Sequence, residues 1–487
     1  MRDTVSSRPR RTRRIVVWTL LSLVMVAVLV AGAVTVYAQL GEDELPPGIP
    51  PRPAAIVVDP QIRPVSADAP TPSAAGVRRA IASSVTAPAL GEFTGQISDP
   101  RTGEVLWSQS PDEPRVPASN AKVLTGAAAL LGLPHDKRLT TRVLAGAGGQ
   151  LILQGAGDPT LSAQPTGAAT FYTDPGRIAE LAAQIKKSGV DVSSVAVDTS
   201  AFTGPTMNGN WARADIAGGD ITPIEALIVD GGRVADPLDE FSARTPDPAK
   251  VAGRALAEAL GVDFDDDEGI TAGTDAQTVA SVRSAPLQTR VEDMLRFSDN
   301  VLAETLAVEL SVARGGPATL AAGAEAVKAT LADAGFDVAG VTMDDSSGLS
   351  YDNRVSAKIL DTVMSAASAP VSSGPATTSS GESVGSGSGI GASAQTRTAL
   401  RPLLDGLPIA AGTGTLADRF DPSTNPGAGW ARAKTGTLTG VSSLTGIVQT
   451  VDGRVLSYAL ISGGTSPADA RPALDAVVGD LRECGCR

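Results

Sequence analysis

A serine three residues ahead of a lysine can attack a carbonyl only if something removes its proton, and Ser119-Asn120-Ala121-Lys122 sets such a pair on one helix face. Lysine becomes that base when desolvation or a neighbouring cation lowers its pKa, and Val123 and Leu124 directly after Lys122 suit burial. Two other strings add complementary groups. Ser298-Asp299-Asn300 offers a hydroxyl able to relay protons and an amide able to bond a substrate amide. In Lys434-Thr435-Gly436-Thr437 the ammonium and hydroxyls suit a carboxylate, and the glycine permits close approach of a substrate backbone. The chain has a single histidine, His135, which argues against a Ser-His-Asp enzyme. Ser119, Lys122 and Ser298 are therefore the candidate catalytic residues, and Asn300, Lys434, Thr435, Gly436 and Thr437 the candidate substrate-binding ones. Such acyl chemistry needs no metal and no cofactor. Each string alone also fits a capping cluster or an incidental surface lysine; the three together carry the reading.

The elements that must position these groups can be read around them. Strand-like runs at 93–98 and 104–108 flank the turn formers Pro100 and Gly103. Pro117-Ala118-Ser119 then opens a helix through Leu131, closed by Gly132 and Pro134, so Ser119 lies where unpaired backbone N–H groups favour negative charge. Helices are expected at 286–296 and 301–314, with Ser298-Asp299-Asn300 at their junction. One long strand at 437–450 pairs with 455–462 about Asp452-Gly453, and its edge could receive a peptide. A last helix starts at Ser466 and Pro467 and turns Leu474, Val477, Val478 and Leu481 toward the sheet.

Between these parts, strands at 151–154 and 195–198 and an amphipathic helix at 175–188 predict an α/β insertion over 141–283. Gly155-Ala156-Gly157-Asp158-Pro159 lacks the third glycine of a dinucleotide loop and is a turn, and the acidic run from Asp263 to Glu268 is a solvated loop without calcium-loop spacing.

The 487-residue length exceeds one core, and the net charge of −13 argues against a nucleic-acid surface. Arg8, Arg10, Arg11, Arg13 and Arg14 in the basic tail 1–14 precede an uncharged apolar run at 15–40, long enough to span a bilayer as a transmembrane anchor. The small-residue pattern at Val36-Tyr37-Ala38 makes a cleaved signal segment the alternative; both export the remainder of the chain. A proline-rich linker at 41–77 follows, and the Ser/Gly-rich stretch 365–393 is expected to be a disordered loop. Cys484 and Cys486 are expected in a solvent-exposed tail.

Combined with Asp345-Ser346-Ser347-Gly348-Leu349-Ser350, with Ala411-Gly412-Thr413-Gly414-Thr415-Leu416 and with the long gap from Ser119 to Ser298, these strings resemble the class C low-molecular-mass penicillin-binding proteins. That is the serine D-alanyl-D-alanine carboxypeptidase/endopeptidase family. The resemblance implies an α+β fold, with a penicillin-recognising, β-lactamase/transpeptidase-like domain at 78–140 and 284–487 split by the insertion. It also implies a cell-envelope location outside the cytoplasm, peptidoglycan stem peptides as substrate and β-lactam antibiotics as inhibitors. Backbone N–H groups of Ser119 and Thr437 would form the oxyanion hole. The family's loop usually carries a basic residue where Tyr351 stands here. A non-catalytic cell-wall scaffold and a serine β-lactamase or esterase are the competing readings.

Overall fold

The computed structural model describes residues 69–267, 269–371 and 392–485. The basic tail, the apolar run 15–40 and most of the linker lie outside them. The linker's last residues, from Ala74 to Val77, are helical rather than extended, with Gly76 and Val77 buried. Among the described residues no helix is long and apolar enough to cross a membrane.

Strands alternate with helices in an order that builds two separate sheets. They are β1 (Glu92–Asp99), β2 (Glu104–Gln109), β3 (Thr140–Ala145), β4 (Gln150–Gln154), β5 (Ser194–Asp198), β6 (Asp263–Phe264), β7 (Thr278–Arg283), β8 (Ala431–Leu438), β9 (Val441–Gln449) and β10 (Val455–Gly463). The first sheet, in the order β2-β1-β10-β9-β8, is antiparallel throughout. The second, in the order β6-β5-β4-β3-β7, is mixed, with β4-β5 and β5-β6 parallel, and its strands all fall between Thr140 and Arg283.

Helix α1 (Ala74–Ala80) precedes the first sheet, and α2 (Ala121–Gly132) runs beneath it. Ten of the twelve residues of α2 are buried, Lys122 among them, as befits a helix that is Ala- and Leu-rich all round rather than on one stripe. In the second sheet α3 (Ile178–Ser188) and α5 (Pro248–Leu260) make the crossovers that parallel strands require, with the short α4 (Arg213–Gly218) between them. Around α2 stand α6 (Leu287–Arg296), α7 (Asn300–Ala313), α8 (Leu320–Asp333) and α9 (Ala357–Ser368), sharing one apolar core with Ala459 and Ile461 of β10. After α10 (Ala394–Leu400), α11 (Pro467–Glu483) closes the other face of the first sheet; Leu474, Val477, Val478 and Leu481 pack with Leu444, Val448 and Leu456. The first sheet thus lies between two helical layers.

Several expectations need correction. The single strand expected at 437–450 is broken at Thr439-Gly440, because Gly440 adopts a φ of +74° and a two-residue turn pairs Leu438 with Val441. Lys434-Thr435-Gly436-Thr437 therefore belongs to its own strand, β8, at the sheet edge. Asp263 and Phe264 form a strand paired with β5 rather than a loop, and Asp266 pairs with Lys250 at 3.0 Å. Ser365–Ser368 close α9 instead of opening the disordered stretch: Ala366 and Ala367 are fully buried, and Ser368 bonds back to the Met364 carbonyl. Residues 372–391 of that stretch lie outside the described residues. Cys484 is buried and disulfide-bonded, not part of an exposed tail.

Candidate active site

A cleft of about 830 Å³ opens where α2, the α6–α7 junction and β8 meet. Ser119, Ser298, Asn300, Thr435 and Thr437 line it, and Lys122 and Lys434 are fully buried. Ser119 occupies a tight 3-10 turn, Ala118–Asn120, that leads into α2 rather than the helix itself. Ala118 has a φ of +48° there, a region sparsely used by residues with a side chain. Gly348 permits the turn: its φ is +85°, and a Cβ at that position would lie 1.9 Å from the Ala118 carbonyl oxygen.

This close approach brings the 345–350 loop to Lys122. Nζ of Lys122 stands 2.9 Å from Ser119 Oγ, 2.6 Å from Asn300 Oδ1 and 2.7 Å from the Ser347 carbonyl. Burial lowers the Lys122 pKa to about 8, against the opposing pull of Asp345 and Asp299. Across the cleft, Nζ of Lys434 donates to Ser298 Oγ at 2.8 Å. Burial, reinforced by the Lys122 charge, holds Lys434 well below the ordinary lysine range. Two hydroxyls, each bonded to a lysine whose pKa is lowered by burial, are a fitting pair for moving one proton across the cleft.

The remaining residues of the third string are placed by the strand. Thr435 Oγ1 donates to Thr415 Oγ1 at 2.7 Å, and Arg471 of α11 donates to Thr437 Oγ1 at 2.9 Å. In the amide orientation that matches donors to acceptors, Asn120 bonds the Lys434 carbonyl at 2.8 Å, tying the nucleophile turn to β8. One role read from the sequence changes. A Cβ on Gly436 would meet Ser443 Oγ at 2.1 Å and the Pro117 carbonyl at 2.7 Å, so this glycine permits packing of strand on turn rather than approach of a substrate. Asn300 is held by protein at both ends, its Oδ1 by Lys122 and one Nδ2 hydrogen by the Asp220 carbonyl at 2.9 Å, while its side chain still lines the cleft.

The sequence reading missed Glu304. One turn after Asn300 on α7, its Oε1 accepts the N–H groups of Ser346 at 3.0 Å and Ser347 at 2.8 Å, and so aims the Ser347 carbonyl at Lys122. A glutamate inside the apolar run Val301–Ala303 and Thr305–Ala307 was the available signal. Burial, with Asp345 nearby, pushes the Glu304 carboxyl up to about 8. Its folded-state value is raised, so the stability it contributes is full below about pH 4.5 and lost as pH rises toward about 8. Wild type should accordingly lose thermal stability relative to Glu304→Gln across that interval; parallel melting curves at pH 5 and pH 8 would contradict this. At Gly348 the expected outcome of Gly348→Ala is destabilisation by about 3 kcal/mol or more, read by urea unfolding, from the clash with Ala118 and the positive φ together.

Comparison with known proteins follows the same lines. The family model described as the D-Ala-D-Ala carboxypeptidase 3 (S13) family matches residues 77–244, 236–378 and 390–484. Carboxypeptidase DacB of Mycolicibacterium smegmatis is 43% identical over 488 residues, covering 99% of both chains. A carboxypeptidase of Mycobacterium tuberculosis is 45% identical over 445 residues, covering 90% of each. Among solved structures, penicillin-binding protein 4 of Haemophilus influenzae superposes with a TM-score of 0.63 at 20% identity, over 83% of this chain and 98% of that one, which supports the fold. With the family model spanning most of its length and relatives this similar end to end, the chain belongs to the D-Ala-D-Ala carboxypeptidase 3 (S13) family.

Proposed function

We propose that this serine-type D-Ala-D-Ala carboxypeptidase acts through an acyl-enzyme on Ser119, with Lys122 as its base. The observation that carries the reading is the 2.9 Å contact between a fully buried Lys122 Nζ and Ser119 Oγ, at a cleft that also holds the Lys434–Ser298 pair. Ser119 Oγ attacks the carbonyl of the penultimate D-Ala as Lys122 takes its proton. The Oγ–C bond forms and the peptide bond breaks, Ser298 passes a proton to the departing nitrogen, and water then hydrolyses the ester. Backbone N–H groups of Ser119 and Thr437 stabilise the oxyanion, an effect worth about 3 kcal/mol per donor in such sites. Lys434, Thr435 and Thr437 receive the terminal carboxylate, or its counterpart in a β-lactam inhibitor, with Arg471 adding positive charge beside Thr437.

The edge position of β8 favours an extended peptide, so a crosslinked stem and a free pentapeptide both fit this reading. Both leave the same acyl group and differ only in the amine expelled. The segment 15–40 acts as an anchor that holds the enzyme on the outer face of the membrane, or as a signal cleaved on secretion, and 141–283 is an inserted domain. Digestion of purified sacculi followed by muropeptide analysis tests the activity. Loss of pentapeptides marks trimming and loss of crosslinked dimers marks endopeptidase action; an unchanged profile contradicts the proposal.

A further inference from the structure

Asp299 stands between two site residues in the lining of the cleft, and its carboxylate meets charge supplied by the segment that carries the second sheet, since Arg233 and Arg244 line the cleft as well. Its Oδ2 accepts from Tyr172 OH at 2.9 Å and from Arg233 Nη2 at 3.0 Å, with Arg244 Nη2 at 3.6 Å. Its Oδ1 caps α7 through the Leu302 N–H at 2.8 Å. Asp299 and Arg233 are buried almost completely, and Arg233 is clamped in turn, its guanidinium 3.6 Å from the centroid of the Phe171 ring and its Nε donating to the Asp239 carbonyl. Burial alone would raise the Asp299 carboxyl, yet the Arg244 and Arg233 charges hold it at about 2. It is ionised throughout the working range, and a buried charge of this kind keeps its geometry because losing any partner leaves it unsatisfied.

The residues on either side of Asp299 show what this rigidity serves. Ser298 has a φ of +56°, a conformation that persists only when surrounding structure enforces it, and in that conformation its Oγ meets Lys434. Asn300 begins α7 and holds Lys122. A second contact runs parallel: Trp211, Ile221, Ile224 and Ile228 pack in one apolar cluster with Ala118, Val301 and Leu349, the neighbours of Ser119, Asn300 and Gly348.

We propose that Arg233, with Tyr172 and Arg244, is a positioning group for the acylation reaction: the segment between the two halves of the first sheet's domain completes the active site by fixing Asp299, and through it Ser298 and Asn300. This rests on the acyl-enzyme reading above.

Acylation of the full chain by a fluorescent penicillin tests it, measured as the limiting acylation rate and the saturation constant separately. Arg233→Met is expected to lower the limiting rate at least tenfold with the saturation constant changed less than threefold, Arg233→Lys to recover part of that loss, and Tyr172→Phe to lower the rate about threefold. In a Ser298→Ala background, Arg233→Met should cost clearly less than in wild type, since one of the two groups it positions is gone while Asn300 still holds Lys122. Where Arg233→Met fails to fold, Tyr172→Phe decides the same question by the same two comparisons. Wild-type rates in the folded variants, or an undiminished loss in the Ser298→Ala background, would overturn the inference and leave the acyl-enzyme reading standing. A wild-type protein that takes up no penicillin sinks both.

Discussion

Ser119→Ala is expected to lower release of D-Ala from a pentapeptide by roughly 10⁴-fold or more, since removing a covalent nucleophile leaves only positioning and oxyanion donors to act on the bound peptide. Folding should survive. Ser119 lines the cleft, and the turn around it is held by backbone and neighbouring contacts: Gly348 against Ala118, Asn120 against Lys434, and Ser443 Oγ donating to the Pro117 carbonyl at 2.6 Å. Melting temperatures of the two proteins should therefore lie close together while turnover separates them. Residual D-Ala release within tenfold of wild type would show that another group attacks the substrate.

The second large effect belongs to Lys122. In the proposed mechanism its neutral form is the base, and burial lowers its pKa to about 8. Below that pH the amine is protonated, so the acylation rate should fall about tenfold per unit as pH drops, and it should level off above about 8. Lys122→Met should reduce the rate by roughly 10³-fold or more, within the range that a positioned general base supplies. Lys122→Arg should do no better despite keeping a donor for Asn300 Oδ1 and the Ser347 carbonyl, because a guanidinium does not give up its proton. Stopped-flow acylation across pH 5 to 9.5 measures all three. A profile flat through pH 8, or a Lys122→Arg variant as fast as wild type, would assign the base elsewhere.

What could be read in advance, and what could not, divides along the distance between residues in the chain. Ser119 and Lys122 lie three residues apart, close enough for the local turn into α2 to put them together, and the structure brings Ser298, Asn300 and Lys434 to the same cleft. The strands β1, β2, β4, β5 and β10 and the last helix carried turn and cap residues that mark their ends. By contrast, Tyr172 and Arg233 reach Asp299 across 127 and 66 residues, and nothing about an isolated tyrosine or arginine in the chain distinguishes a buried ion cluster from solvent-exposed side chains. The turn at Thr439-Gly440 was hidden because Val, Ser, Leu and Thr on both sides read as uninterrupted strand, and only the positive φ of Gly440 separates β8 from β9. The end of α9 was missed for a similar reason. Its Ser and Ala residues match a low-complexity loop in composition, whereas tertiary burial of Ala366 and Ala367 makes them helix. Gly436 shows the subtler failure, a residue read as making room for a substrate whose glycine requirement comes from Ser443 and Pro117 behind it rather than from the cleft in front.

The claim on which the rest depends is that Ser119 becomes covalently acylated. Incubation of the full chain with benzylpenicillin, followed by proteolysis and mass spectrometry of the peptides, reads this directly. One penicilloyl group on the peptide containing Ser119, absent from Ser119→Ala, is the expected result; an adduct confined to another residue, or none at all in protein that still releases D-Ala, would contradict the account.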